Sequence, residues 1–237
     1  MSFGKNWMSS IYTKNDSKQQ YNFNWLDDNK RFAGTFFGIH PLKDKTNKPN
    51  ILIMGDSILD NSWEMIKNIL KNMTVTYIQH PHHCKNINKW LDIWEFNKWK
   101  KYDVIFFFDG MHGFPPRVSE KEHQLLTPLL CKKLKTITQN IIWCNCSPLP
   151  EMKQGEKNSK NGPNSKDQIL TNDSVIERNK SIKKEMMETN TRMLDIYSLL
   201  KPIQSDIQIP YDCHFNKKGA SIIAKAVTNE IKNFYTV

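Results

Sequence analysis

The sequence has no long apolar run and little arginine, and each shortage excludes a class of protein. Its 237 residues contain no stretch of 18 apolar side chains, which a transmembrane helix would need. Residues 1–10 lack the basic start and the apolar run of a secretory signal peptide, so an intracellular, cytoplasmic protein is expected. The five cysteines are odd in number and form no C-x-x-C pair. They are therefore expected to be reduced and mostly buried thiols.

The positive charge comes from lysine. Lys plus Arg number 34 against 24 Asp plus Glu, a formal net charge of +10, yet only four of the 34 are Arg. Proteins that read nucleic acid rely on Arg for bidentate contacts, so nucleic acid is not an expected partner. The 24 Asn beside so many Lys are typical of an A/T-rich coding sequence. A solvated Lys surface is the preferred interpretation of the charge, and a polyanion-binding face is the alternative.

Strand and helix patterns alternate from residue 50 onward. Five short apolar runs predict buried strands: 51–54, 74–78, 103–108, 140–146 and 193–197. Helical spacing or capping residues predict helices in four places: within 59–72, from Ser119, from Asp173 or Ser174, and from Asn216. This alternation predicts an α/β fold, a three-layer α/β/α sandwich with a parallel sheet of about five strands in a flavodoxin-like layout.

Two segments fall outside this pattern. Residues 1–49 are polar and aromatic with weak periodicity, and we interpret them as an N-terminal extension packed on the domain formed by residues 50–237. Residues 151–173 are rich in Lys, Asn, Ser and Gly and are expected to form a mobile surface loop. Hydrophobic residues make up 38% of the chain, enough for a real core.

Polar side chains follow two predicted strands and precede the last helix. Gly55-Asp56-Ser57 ends the first strand, Asp109-Gly110-Met111-His112-Gly113 ends the third, and Asp212-Cys213-His214 comes before the helix. Ligands bind at the carboxyl ends of parallel strands, so the three segments are expected to converge. Such a Ser, His and Asp predict a nucleophilic hydrolase, in which His takes the Ser proton and Asp fixes the His tautomer.

At these residues the sequence resembles the SGNH (GDSL-type) hydrolase family. Gly55-Asp56-Ser57-Ile58 matches its nucleophile block, and His214-Phe215-Asn216 with Gly219-Ala220 matches its closing block. The stretch 143–150, an apolar strand that ends in Ser-Pro-x-Pro, is similar to the family's fourth-strand region. The resemblance covers about residues 50–236.

The resemblance implies a serine carboxylesterase that hydrolyses short acyl esters, such as acetyl esters of carbohydrate, without a cofactor or a metal. Ser57 would be the nucleophile, His214 the general base and then acid, and Asp212 the residue that orients His214. The backbone N–H groups of Ser57 and Gly110 and the side chain of His112 would form the oxyanion hole. The expected partner is a small-molecule or glycan ester. An O-acyltransferase, or a non-catalytic glycan- or polyanion-binding protein of the same fold, remains an alternative.

The sequence departs from the family pattern at three blocks. The third block, usually Gly-x-Asn-Asp, reads Gly110-Met111-His112-Gly113 and is similar to a branch with His at this place, whose N–H can donate as an amide does. Asp212 stands two residues before His214, where the family has three. Either an extended loop still brings the carboxylate to His214, or a Ser–His dyad operates with a carbonyl orienting the His. No Gly lies between Ser62 and Tyr102 to supply the second block, so the backbone near Cys84 is the stand-in.

Two other clusters invite a functional interpretation. The segment His80-Pro81-His82-His83-Cys84 carries metal-ligating side chains, but adjacent ligands do not easily close one tetrahedral site. We interpret it as a loop at the rim of the site. The three tryptophans Trp90, Trp94 and Trp99 could stack on sugars, but packing in the core is preferred.

Overall fold

The computed structural model describes residues 19–26, 32–39, 48–79, 102–111, 113–115, 118–150, 164–165 and 168–235. Its strands are β1 (Gln19–Leu26), β2 (Phe32–Ile39), β3 (Asn50–Gly55), β4 (Thr74–Gln79), β5 (Val104–Phe108), β6 (Ile141–Cys144), β7 (Asn164–Ser165), β8 (Gln168–Ile169) and β9 (Arg192–Leu194). Its α-helices are α1 (Ser57–Asp60), α2 (Trp63–Ile69), α3 (Glu120–Lys135), α4 (Asn172–Glu188), α5 (Ile196–Leu200), α6 (Gln204–Ile207) and α7 (Lys217–Lys232).

Seven of the strands form one sheet in the order β1-β2-β4-β3-β5-β6-β9. The last five are mutually parallel, and in chain order their arrangement is 2-1-3-4-5, which is the flavodoxin-like order. The predicted α/β fold with a parallel sheet of about five strands is therefore confirmed. β1 and β2 form an antiparallel hairpin, and β2 joins β4 through the pair Ile39 and Ile78.

The central strands consist of apolar residues because both of their faces are covered. Every residue of β5 is buried, and in β3 all residues after Asn50 are buried. The helices form two groups: α3 packs against α4, and α7 packs against α1 and α2. Parallel strands joined by right-handed crossovers place these two helix groups on opposite faces of the sheet. The result is the predicted three-layer sandwich.

The structure has two helices where one was expected within 59–72, because the helix is interrupted at Asn61 and Ser62. The Asn61 N–H bonds to the Ser57 carbonyl and closes α1, and Ser62 then begins α2. The fifth strand is shorter than predicted because Asp195 leaves the sheet to cap α5, where its carboxylate accepts from the Ser198 N–H.

The start of α4 lies before the predicted cap. Thr171 caps the helix through a reciprocal pair with Ser174, so the expectation of a cap at Asp173 or Ser174 is wrong. The expected loop 151–173 therefore ends where α4 begins at Asn172. Its described part contains the small antiparallel pair β7 and β8, and 151–163 lie outside the described residues.

Several sequence-based expectations fall on segments outside the described residues, namely His80 to Cys84, the tryptophans at 90, 94 and 99, and His112. Of the cysteines that the structure does describe, Cys131, Cys144 and Cys146 are buried and Cys213 is half-buried, and all four are free thiols. Over the described ranges, no helix is both long and apolar enough to cross a membrane.

Candidate active site

The first and last of the three predicted segments meet at the carboxyl end of β3. Asp56 follows β3, and Ser57 is the first residue of α1. The Ser57 Oγ lies 2.8 Å from the Nε2 of His214, a residue 157 positions later in the chain. His214 sits in the turn before α7, which is closed by a bridge between Gln208 and Phe215.

Asp212 reaches His214 although it stands one residue closer than in the family pattern. Its Oδ1 lies 2.6 Å from the His214 Nδ1 and also accepts the His214 backbone N–H at 2.9 Å. An aspartate that binds the N–H two residues later forms an Asx turn, so the expectation of an extended loop is wrong. Tyr211, with φ of 60°, supplies the left-handed residue at which the chain turns back.

The order of these contacts determines which atoms carry protons. An ionised carboxylate only accepts hydrogen bonds, so Asp212 holds the imidazole proton on Nδ1. The Nε2 of His214 is then the free lone pair and accepts from the Ser57 hydroxyl. The side chains of His214 and Asp212 are 16% and 13% exposed, so the pair is only partly accessible to solvent. This arrangement can withdraw a proton from the Ser57 hydroxyl.

A second possible nucleophile, Cys213, lies beside the same imidazole. Its Sγ is 3.7 Å from the His214 Nδ1, the nitrogen that Asp212 already holds. Burial, with the nearby carboxylates of Asp56 and Asp212, raises the pKa of the Cys213 thiol to about 12. A thiol protonated at neutral pH is a poor nucleophile. Of the two side chains, Ser57 is therefore the one from which His214 can more readily take a proton.

The same three residues are the metal-ligating cluster found among the side chains that the structure describes. Ligand atoms of Asp212, Cys213 and His214 all lie within 4.8 Å of one another. A metal would have to displace the Nδ1 proton that joins His214 to Asp212 and would also need the Cys213 thiolate. Their hydrogen bonding fits proton transfer better than metal binding.

Asp56 links the turn that carries Ser57 to the loop after β5. One carboxylate oxygen caps α1 by accepting the Ile58 N–H at 2.9 Å, and the other accepts the Met111 N–H at 3.0 Å. Gly110 lies against this carboxylate with φ of 69°, and a Cβ there would collide with the Asp56 side chain. Only glycine fits both the conformation and the space. Asp56 thus braces the backbone on both sides of the site.

Two further contacts hold the loop after β5, and sequence reasoning missed both. The Asp109 carboxylate lies 2.9 Å from the Nε2 of His123 in α3, and both side chains are buried. The Arg178 guanidinium in α4 donates to the Gly113 carbonyl at 2.7 Å. These residues are far apart in sequence and follow no periodic pattern. The one available signal was that an Arg is scarce in a chain with many Lys.

The segment that follows β6 is held by side-chain amides. Asn179 binds both the N–H and the carbonyl of Cys146, and Asn172 does the same for Leu149. Gln208 donates to the Pro148 carbonyl at 3.0 Å. These bonds fix the Ser-Pro-x-Pro stretch beside the turn that carries His214.

The predicted oxyanion donors are only partly described. The Met111 N–H is engaged by Asp56, and the Gly110 N–H precedes it at the same edge of the sheet as Ser57. His112, the third predicted donor, and Cys84, the stand-in for the second block, lie outside the described residues. Their roles remain predictions.

No family model matches the sequence, and no curated protein sequence matches it. Solved structures do resemble the fold. Axe2, an acetylxylan esterase from Geobacillus stearothermophilus, is 14% identical and has a TM-score of 0.59 over 77% of this chain and 94% of that chain. A lipase/acylhydrolase from Enterococcus faecalis is 13% identical with a TM-score of 0.59, over 78% and 96% of the two chains. A putative acylhydrolase from Bacteroides fragilis is 12% identical with a TM-score of 0.59, over 82% and 91%.

The strand order and these neighbours define the class of fold. The chain has an α/β fold shared with esterases and acylhydrolases. More narrowly, it has the SGNH (GDSL-type) hydrolase fold, as the sequence resemblance predicted. Two Axe2 variants, one with a serine and one with an aspartate replaced by alanine, are described as catalytic mutants of that enzyme.

Proposed function

We propose that the protein is a serine carboxylesterase that hydrolyses short acyl esters through an acyl-serine intermediate. One observation carries the proposal: a continuous chain of contacts from the Ser57 Oγ to His214 at 2.8 Å and from His214 to Asp212 at 2.6 Å. These distances and this order are what nucleophilic catalysis by a serine requires.

In the proposed reaction the Ser57 Oγ attacks the ester carbonyl carbon while its proton passes to the Nε2 of His214. The carbonyl oxygen becomes an oxyanion, which the N–H groups of Ser57 and Gly110 and the side chain of His112 would stabilise. When the C–O bond to the alcohol breaks, His214 returns the proton to the leaving oxygen. A water molecule then attacks the acyl carbon and gives its proton to the Nε2 of His214. The bond to the Ser57 Oγ breaks, His214 returns the proton to this oxygen, and the carboxylic acid is released.

Asp212 supports both halves of this cycle. Its carboxylate keeps the proton on the Nδ1 of His214 and stabilises the imidazolium that forms each time the Nε2 is protonated. The 2.6 Å contact favours a triad over the dyad that the sequence also allowed.

The proposed acyl group is short, and acetyl on a carbohydrate is the first candidate. This choice rests on analogy with Axe2, which is an acetylxylan esterase of the same fold and low identity. The net charge of +10 is compatible with a substrate that carries anionic groups as well.

The test uses p-nitrophenyl esters of increasing chain length and acetylated xylo-oligosaccharides with the wild type and Ser57→Ala. We expect the acetyl ester to be preferred and Ser57→Ala to lose at least about 10³-fold in kcat with the fold intact by circular dichroism. Ser198→Ala is a matched control, because Ser198, like Ser57, lies in the first turn of a short helix. Its hydroxyl differs from that of Ser57 in bonding to a carboxylate and not to an imidazole. Turnover by Ser57→Ala at the wild-type rate would refute the assignment. Product analysis with and without a sugar as acceptor detects acyl transfer to a sugar hydroxyl.

A further inference from the structure

We propose that Arg178 is a positioning residue for the oxyanion hole, and that it acts by fixing the far end of the loop after β5. The inference rests on the proposed esterase function and extends it to a residue in α4. Arg178 is 1% exposed, although it carries a full charge. A buried charge is stable only where its hydrogen-bonding groups are used, so its partners show what the side chain does.

The partners of Arg178 lie on two elements that flank the site. The Nε and Nη2 atoms donate to the two carboxylate oxygens of Glu120 at 2.8 and 2.7 Å, in the paired geometry that a guanidinium favours. The Nη1 atom donates to the Gly113 carbonyl at 2.7 Å, and the guanidinium carbon lies 4.3 Å from the centre of the Phe114 ring. Three directions of the guanidinium are thus occupied, and one of them points to the loop.

Glu120 is well placed to hold the other end of this contact. It lies in the first turn of α3, where the helix dipole stabilises a negative charge. Its side chain is 42% exposed, so the pair is anchored at the surface while its positive member is buried. The contact with Glu120 therefore orients the guanidinium so that it can donate to the Gly113 carbonyl.

The loop after β5 has an anchor on each side of the predicted oxyanion donor. Asp109 is held by His123, the Met111 N–H is held by Asp56, and the Gly113 carbonyl is held by Arg178. The Gly110 N–H lies between the first two of these anchors. Oxyanion donors accelerate the reaction only when they are fixed before the charge develops. Releasing the third anchor would leave the loop held by Asp56 and His123 alone, so the position of the Gly110 N–H relative to Ser57 would be less firmly fixed.

Arginine suits this role and lysine does not. The chain contains 30 Lys and four Arg, yet this position carries Arg. An ammonium group cannot occupy both Glu120 oxygens and the Gly113 carbonyl in one plane, because it lacks the rigid fork of the guanidinium. Arg178→Lys should therefore restore only part of what Arg178→Met removes.

Arg192 provides a matched control. It makes the same kinds of contact, a 2.7 Å ion pair with Glu230 and a cation–π contact 5.1 Å from the centre of the Phe234 ring. It is the first residue of β9, so it lies at the amino end of the sheet, opposite to Ser57. Arg192→Met removes an ion pair and a cation–π contact of a side chain that is 38% exposed and does not touch the loop.

The experiment compares Arg178→Met, Arg178→Lys and Arg192→Met with the wild type, in kcat and KM for p-nitrophenyl acetate. Active sites are counted by titration with a fluorophosphonate. A second readout is the inhibition constant of phenylboronic acid. The Ser57 Oγ adds to its boron, the proton passes to His214, and the tetrahedral boronate mimics the oxyanion intermediate.

Per titrated site, we expect kcat of Arg178→Met to fall about 10- to 100-fold with KM within about twofold. The boronate inhibition constant should rise by a similar factor, Arg178→Lys should be intermediate, and Arg192→Met should match the wild type. A merely structural role would reduce the titrated fraction and the melting temperature and leave kcat per site and the boronate constant unchanged. That outcome overturns the inference.

If Arg178→Met does not fold, Arg178→Lys and Glu120→Gln carry the test, since each leaves the guanidinium or its charge partly in place. Wild-type kcat in both would refute the inference. The proposed esterase function fails separately, when Ser57→Ala reacts with the fluorophosphonate as the wild type does.

Discussion

At the scale of single residues, the site depends on how a short turn presents two side chains. Asp212 and His214 belong to the same Asx turn, and Tyr211 takes the left-handed conformation that this turn needs. A tyrosine at positive φ is strained, and such strain persists where surrounding contacts impose it. Here the surrounding contacts include the bonds from the Ile209 N–H to the His214 carbonyl and from the Asp212 N–H to the Ile209 carbonyl.

The first prediction concerns Asp212. Asp212→Asn should lower kcat about 10²- to 10⁴-fold, because the amide no longer fixes the proton on the Nδ1 of His214. Fluorophosphonate should still label Ser57, only more slowly. Asp206→Asn is the control, since its carboxylate is 66% exposed and lies 4.0 Å from Lys218, away from His214. A loss below about threefold in Asp212→Asn would show that another group orients the imidazole.

Sequence reasoning could name Ser57, Asp212 and His214 because each stands at a break in a periodic pattern. It could not give the turn geometry, since the carboxylate could approach the imidazole from several backbone conformations. It also could not find Arg178, whose partner Gly113 lies 65 residues away. Contacts of that kind are decided by how α4 packs and leave no local signature.

At the scale of elements, the strands were easier to predict than the helix ends. β3 and β5 are buried on both faces, so their sequences are uninterrupted apolar runs. The start of α4 was harder, because Thr171, Asn172, Asp173 and Ser174 all favour the cap position. Which of them caps the helix depends on the geometry of the segment before it.

The second prediction tests that cap. Thr171→Ala removes the oxygen that accepts the Ser174 N–H at 3.1 Å and should lower the free energy of unfolding by about 1 kcal/mol. Thr171→Ser keeps the hydroxyl and should have little effect. Urea denaturation followed by circular dichroism measures both, and equal stability of the two variants would show that another residue caps α4.

The many asparagines also have work at this scale. Asn145 accepts from the Ile196 and Tyr197 N–H groups and donates to Asp195, so it ties the end of β6 to α5. Asn216 caps α7 through the Lys218 and Gly219 N–H groups. Coding bias accounts for the abundance of this residue type, while these contacts account for particular positions.

At the scale of the whole molecule, α4 buries a carboxyl group that has few hydrogen-bond partners. Glu185 is 5% exposed, its Oε1 accepts from Ser181, and no hydrogen bond to its Oε2 occurs within the described part of the chain. Burial raises the pKa of the Glu185 carboxyl, against the lowering effects of the Ser181 hydroxyl and of His123. The folded protein therefore binds this proton more tightly than the unfolded chain.

The third prediction follows from that sign. The contribution of a carboxyl group to the free energy of unfolding depends on pH when folding raises its pKa. That contribution is fully present below the unfolded pKa of about 4.5, and it is lost as the pH rises through the folded pKa. Glu185→Gln should therefore raise the urea midpoint at pH 8 and change it little at pH 4. Glu188→Gln is the control on the same helix, at 60% side-chain exposure. A stabilisation that is the same at both pH values would contradict this account.

Because Asp212 and His214 are neighbours in sequence, the distance between the Ser57 Oγ and the His214 Nε2 is the one contact of the proposed triad that depends on the whole fold. The acid and the imidazole travel together on a three-residue stretch, so partial opening elsewhere does not separate them. Ser57 is 157 positions away from His214, at the start of α1 and just after the first strand of the parallel sheet. The reactivity of that serine therefore reports on the whole fold: it should be lost in the same step in which the last helix separates from α1 and α2.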